Sequence, residues 1–128
     1  MKRLLVLALL VLAGCGGTEP AAPMSTDERA IRATLSAYVD AVRANDPARV
    51  CGLTAREVLD ELGGACEEAI SAEIAKRGPK FTLETRAVAV QGDFAMSRGR
   101  AVDSDGPRNG DQPLVREHGR WLLTTKAR

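Results

Sequence analysis

The chain reads as an α+β domain, with N-terminal helices packed on one face of a curved antiparallel sheet. Three observations predict this. Residues 25–77 set apolar side chains at helical spacing between capping residues and glycines. Residues 81–125 switch to alternating, β-branched segments separated by tight turns. The switch happens once, with all helices before all strands, an order that segregates helices from an antiparallel sheet. At 128 residues there is chain for one such domain and not two.

The first residues belong to a different physics. Met1-Lys2-Arg3 is basic, and Leu4 to Ala13 is an unbroken apolar run. A membrane-spanning helix needs roughly twenty apolar residues, so this run fits the apolar region of an export signal instead. A buried first helix is disfavoured, because the run has no polar face and Gly14, Gly16 and Gly17 break it at once. Leu12-Ala13-Gly14-Cys15 resembles the lipobox of bacterial lipoproteins. That resemblance implies cleavage after Gly14 and a diacylglyceryl thioether on Cys15. The expected organisation is a signal peptide over 1–14, a lipidated cysteine and tether over 15–24, and a domain over 25–128. Gly16 to Met24 lacks apolar periodicity and contains Pro20 and Pro23, as a tether does. Two acyl chains on one residue suffice for stable anchoring, so the expected location is the extracytoplasmic face of the cell membrane.

Export changes the reading of Cys51 and Cys66. In an oxidising compartment these two are a candidate disulfide, since Cys15 is taken by the lipid. Closing a loop of about fifteen residues is worth roughly 3 kcal/mol in the chain-entropy model. Neither cysteine lies in a CxxC, and one histidine in the whole chain leaves a tetrahedral zinc site short of ligands. No metal and no cofactor is expected.

Within the domain, Ser25-Thr26-Asp27-Glu28 has capping-box spacing and opens a helix carrying Ile31, Leu35, Tyr38, Val39 and Val42 on its apolar side. Asn45-Asp46-Pro47 ends it and starts a short second helix, with Asp46 as N-cap and Pro47 at the first helical position. Thr54 to Glu57 reads as a second capping box, leading to Val58, Leu59 and Leu62 before Gly63-Gly64. Cys66 to Arg77 forms a further helix closed by Gly78-Pro79. Strands are expected over Phe81–Val90 and Phe94–Val102, joined by a turn at Gln91-Gly92-Asp93. Asp103 to Gly110 reads as a polar loop without periodicity. Strands Gln112–Glu117 and Arg120–Thr125 follow, around His118-Gly119.

Composition removes some function classes. Eighteen basic residues against seventeen acidic ones provide no field for nucleic acid. Loss of residues 1–14 removes Lys2 and Arg3 and no acid, which turns the net charge of +1 into −1. Four aromatic residues and a single histidine leave few groups for catalysis.

The run Tyr38 to Asp46 followed by Val50-Cys51, together with Leu114 to Leu123 and its tryptophan just after the turn, resembles the NTF2-like (SnoaL-type, cystatin-like α+β) superfamily. The cysteine pair is similar to that of small actinobacterial lipoproteins of this superfamily. The resemblance covers nearly all of 25–128, with 54–80 the loosest part, and implies a cone of helices and bent sheet around a pocket. It implies pocket-lining positions for Tyr38, Asp111 and Trp121. Tyr38 stands where ketosteroid-isomerase-like members carry an oxyanion donor, and Asp111 where they carry a protonated acid. The general base such enzymes require has no counterpart, because Glu57, Asp60 and Glu61 fall in a capped helix. His118, in a hairpin turn, is poorly placed for chemistry, and Ser36, Ser71 and Ser97 lack a nucleophile-elbow context.

The expected role is therefore non-catalytic: a small apolar ligand in the cone, a second copy on the sheet, or an envelope protein as partner. The competing reading is an isomerase or dehydratase using Tyr38 and Asp111. It requires both side chains to converge in a closed pocket.

Overall fold

Helix α1 (Thr26–Arg43) begins where the sequence places it: Ser25 stays extended, and its hydroxyl accepts the Glu28 amide at 3.1 Å. Residues 23–127 are described by this computed structural model, so the expected signal peptide, Cys15 and most of the expected tether lie outside the described residues. α1 buries Ile31, Leu35, Ala41 and Val42. Asp46 then caps α2 (Pro47–Gly52) through the Arg49 amide. α3 (Arg56–Glu61) and α4 (Cys66–Arg77) complete the helical part. Cys51 at the end of α2 and Cys66 at the start of α4 are disulfide-bonded, with their Cα atoms 6.1 Å apart.

Four strands follow in a meander: β1 (Thr82–Gln91), β2 (Phe94–Asp103), β3 (Gly106–Glu117) and β4 (Arg120–Leu123), each antiparallel to the next. A bulge between Thr85 and Ala87 bends β1 over β2, as an extra residue in one strand does. Gly99 makes that bend possible. A Cβ there would sit 2.1 Å from the Glu84 carbonyl oxygen. The core has two parts along α1. Ile31 and Leu35 pack with Ala95, Leu114, Trp121 and Leu123, while Ala41 and Val42 pack with Val50, Ile74 and Phe81.

Two local expectations fail, each for a tertiary reason. Thr54 does not cap α3. Leu53 to Ala55 form a short parallel bridge to β4, with Leu123 donating to Leu53 and Ala55 donating to Leu123, both at 2.8 Å. The Thr54 hydroxyl consequently turns back to the Val50 carbonyl, and the Glu117 carboxylate takes over the cap by accepting the Arg56 amide at 3.1 Å. Residues 106–110 are strand, not loop. They pair with Gly99 to Asp103 in continuous register, leaving only Ser104 and Asp105 as the turn. β4 pairs only with Leu114–Glu117, so the first half of β3 is an edge, where Pro107 is tolerated and alternation has no buried face to record.

Candidate functional site at the open end of the cone

Past Tyr38 the inner face of the sheet runs out of side chains. Gly99 and Gly110 are register partners on the face that also carries Ser97 and Gln112, and α1 ends nearby. The result is an open hollow of about 280 Å³, walled by Tyr38, Arg77, Phe81, Leu83, Ser97 and Gln112. A second, more apolar hollow of about 400 Å³ lies between α2, α3, α4 and the end of β4, and shares Tyr38, Arg77 and Gln112.

Three polar groups on this wall are incompletely engaged. Arg77, the last residue of α4, lays its guanidinium 4.9 Å from the Phe81 ring centre and 5.8 Å from that of Tyr38. One of its terminal nitrogens reaches Glu73 at 3.4 Å, but its Nε is buried without a hydrogen-bond partner. Ser97 is 3% exposed, and among the described residues its hydroxyl has no bonded partner. Gln112 donates its amide to the carbonyls of Pro113 and Thr124, at 2.8 and 3.0 Å, which fixes the side chain and leaves its oxygen unengaged. Tyr38 packs edge-on against Phe81, with ring centres 5.8 Å apart. Burial pushes its phenol above the ordinary value of 10.0; the Arg77 charge opposes this and Glu73 adds to it.

Asp111 lines the same hollow as Tyr38, but its carboxylate is engaged with Arg98 and not with the phenol. Its neighbour Gln112 faces the hollow, so strand alternation turns the Asp111 carboxylate to the opposite face. There it is half exposed and 3.4 Å from Arg98, its register partner. It is nonetheless among the residues that line the hollow. Trp121 is elsewhere: it is 3% exposed in the first core cluster, at the far end of α1. Its indole donates to Asp27 at 3.2 Å, and its ring lies under Arg116 at 5.1 Å. His118 occupies the β3–β4 turn with φ of 50°, exposed. Among the described residues no group of three or more His, Cys, Asp or Glu is placed to hold a metal ion.

Sequence reasoning did not find Arg77. At the end of a helix it reads as a charge complementing the helix dipole. The available signal was its position one residue before Gly78-Pro79, where the chain turns toward Phe81 and the sheet.

No protein-family model matches this sequence, and no curated protein matches it either. Solved structures do. A protein of unknown function from Mycobacterium tuberculosis, Rv3472, superposes with a TM-score of 0.55 at 16% identity, over 76% of this chain and 67% of that one. A Campylobacter jejuni protein described as an NTF2-like transpeptidase gives 0.54 at 17% identity, over 80% of this chain and 100% of that one. A chain bearing NTF2 in its name, Rd1NTF2_05, gives 0.53 at 10% identity, over 72% and 90%. Likeness at this identity defines the fold: a helix-covered, curved antiparallel sheet of the NTF2-like α+β cone class.

Proposed function

We propose that the chain is a lipoprotein held at the extracytoplasmic membrane face through Cys15, and that its NTF2-like domain binds a small molecule in the open end of the cone without transforming it. The observation that carries this reading is the hollow itself, open and bordered by polar groups whose hydrogen-bonding capacity the protein leaves unused. Pockets that fix a ligand by a few convergent polar groups on an apolar wall have this character. The isomerase or dehydratase reading loses its second residue, since Asp111 pairs with Arg98 on the other face of the sheet. Acyl transfer, suggested by the name of the Campylobacter jejuni protein, needs a hydroxyl or thiol activated by a base. Ser97 in the hollow has no such neighbour, and Cys51 and Cys66 are bonded to each other.

Among the described residues no helix is long and apolar enough to cross a membrane. This reading assigns attachment to the lipid on Cys15, on the lipobox-like Leu12 to Cys15. Intact-mass analysis of the chain recovered from bacterial membranes tests both halves. The mature species should begin at Cys15 with added diacylglycerol, and native spectra should carry an extra small-molecule mass. A Cys15→Ser chain that still partitions with membranes, or a native mass free of any adduct, would remove the corresponding half.

A further inference from the structure

We infer that the ligand of the open hollow is a small carboxylate with an apolar body, its carboxylate seated between Arg77, Ser97 and Tyr38. This rests on the ligand-binding reading above and specifies its chemistry. Two independent observations point the same way. The Arg77 Nε is a buried donor with nothing to donate to, although such groups are nearly always satisfied in native proteins. Ser97, only 3% exposed, presents an unpartnered hydroxyl on the neighbouring wall. Both groups donate, and so does the Tyr38 phenol, which burial keeps protonated. A site offering donors and a guanidinium calls for an acceptor carrying negative charge.

The acids nearby do not meet that need. Glu73 engages a terminal nitrogen of Arg77 from its own helix, Asp103, which feels the Arg77 charge, is paired with Arg108, and Asp111 is committed to Arg98. The apolar part of the lining is Phe81, Leu83 and Ala101, with Gly99 and Gly110 leaving room between the strands and Arg108 and Asn109 adding further polar surface. An inorganic anion would leave the apolar part of the lining wet. A carboxylate carried on a short apolar or aromatic group satisfies both halves at once. The unengaged oxygen of Gln112 also accommodates a hydroxyl or amide N–H on the same ligand.

The test uses the full mature chain in nonionic detergent, titrated calorimetrically with phenylacetate and with its neutral isostere phenylacetamide. Phenylacetate should bind saturably and the amide at least about tenfold more weakly, the loss expected for a charge-assisted hydrogen bond. Arg77→Gln should reduce phenylacetate affinity by about tenfold or more, and leave the amide unchanged. Should Arg77→Gln fold poorly, Ser97→Ala decides: it should weaken the acid several-fold and the amide less. Equal binding of acid and amide, phenylacetate affinity indifferent to both substitutions, or no saturable phenylacetate binding would each overturn the carboxylate assignment. The ligand-binding reading fails separately, when native mass spectra carry no adduct. An adduct that is neutral and displaced by phenylacetamide would keep that reading and discard the carboxylate.

Discussion

The domain holds two arginines over aromatic rings, one at each end of α1, and they differ in how fully they are used. At the end where α1 begins, Arg116 lies over Trp121 and donates to Asp93 at 2.9 Å, to Asp27 at 3.0 Å and to the Gly92 carbonyl at 3.4 Å. The hydrogen bond it donates to Asp93, together with the charge of Asp27, raises its pKa against the opposing effect of burial. Asp27 also accepts from the Trp121 indole, so one carboxylate ties α1 to the last hairpin. At the other end Arg77 lies over Phe81 and Tyr38 with Glu73 and the Tyr38 phenol as partners, and a buried Nε that has none. A saturated guanidinium is a fastener. An unsaturated one, on the wall of a hollow, is a binding group held ready at some cost in stability.

That cost is of known kind. A buried donor left without a partner forfeits about 1–3 kcal/mol of desolvation, which a ligand can restore on binding. The protein can carry it because the rest of the helical layer is secured independently. The Cys51–Cys66 bridge joins α2 to α4 and closes a loop with a sequence separation of 15. It is worth roughly 3 kcal/mol in the chain-entropy model, a substantial part of a small domain's stability.

The sharpest way to break the comparison is to empty the closed end. Trp121→Ala should cost about 3–5 kcal/mol in denaturant unfolding, since it removes a buried indole and its packing against Ile31 and Leu35. A cost under about 1 kcal/mol would mean that the first core cluster can collapse around the missing ring, against the usual behaviour of dense interiors. Exchanging each arginine for methionine comes next in size and contrasts the two ends directly. Arg116→Met removes the cation shared by Asp27 and Asp93 and should lower the unfolding midpoint. Arg77→Met keeps the packing on Phe81 and Tyr38 and deletes the unpartnered donor, so the midpoint should hold or rise. Equal losses in the two variants would show that Arg77 serves the fold and not a ligand.

What could be read from the sequence was local. Ser25 and Asp46 cap their helices because the hydrogen bonds involved reach only three residues along the chain. Gly63, Gly64 and Gly92 take positive φ at element ends, where that conformation is required. The disulfide followed from counting. What could not be read was imposed from a distance. Thr54 has the spacing of a cap, yet pairing with β4 redirects its hydroxyl, and the cap comes from Glu117, 61 residues from Arg56. Residues 106–110 carry no alternation because both their faces are exposed; β2 alone makes them a strand. The same hidden register sends Asp111 outward. Family resemblance supplied a position for it, but a shift of one residue in a strand exchanges the faces. Tyr38 stands on the hollow because α1 was long, regular and correctly phased. Arg77 stands opposite because α4 packs back on α1, which no local pattern announces.

The smallest expected effect is the most specific to the open end. Tyr38 is the single tyrosine, so its ionisation can be followed by near-ultraviolet absorbance without overlap from other phenols. Burial holds its pKa above 10.0, with Glu73 adding to the rise and Arg77 opposing it. The midpoint in the folded chain should therefore exceed that of the denatured chain, and Arg77→Gln should move it further upward. The folded state favours the protonated phenol, so this contribution to stability is complete below pH 10.0 and is lost as pH climbs through the raised value. Lysines titrate in the same range, and Tyr38→Phe isolates the phenol: the alkaline loss it abolishes belongs to Tyr38. A bound carboxylate beside the phenol should raise the midpoint again, because a second negative charge opposes the first. A midpoint that phenylacetate leaves in place would put the ligand elsewhere than against Tyr38, and would return the two arginines to equal standing.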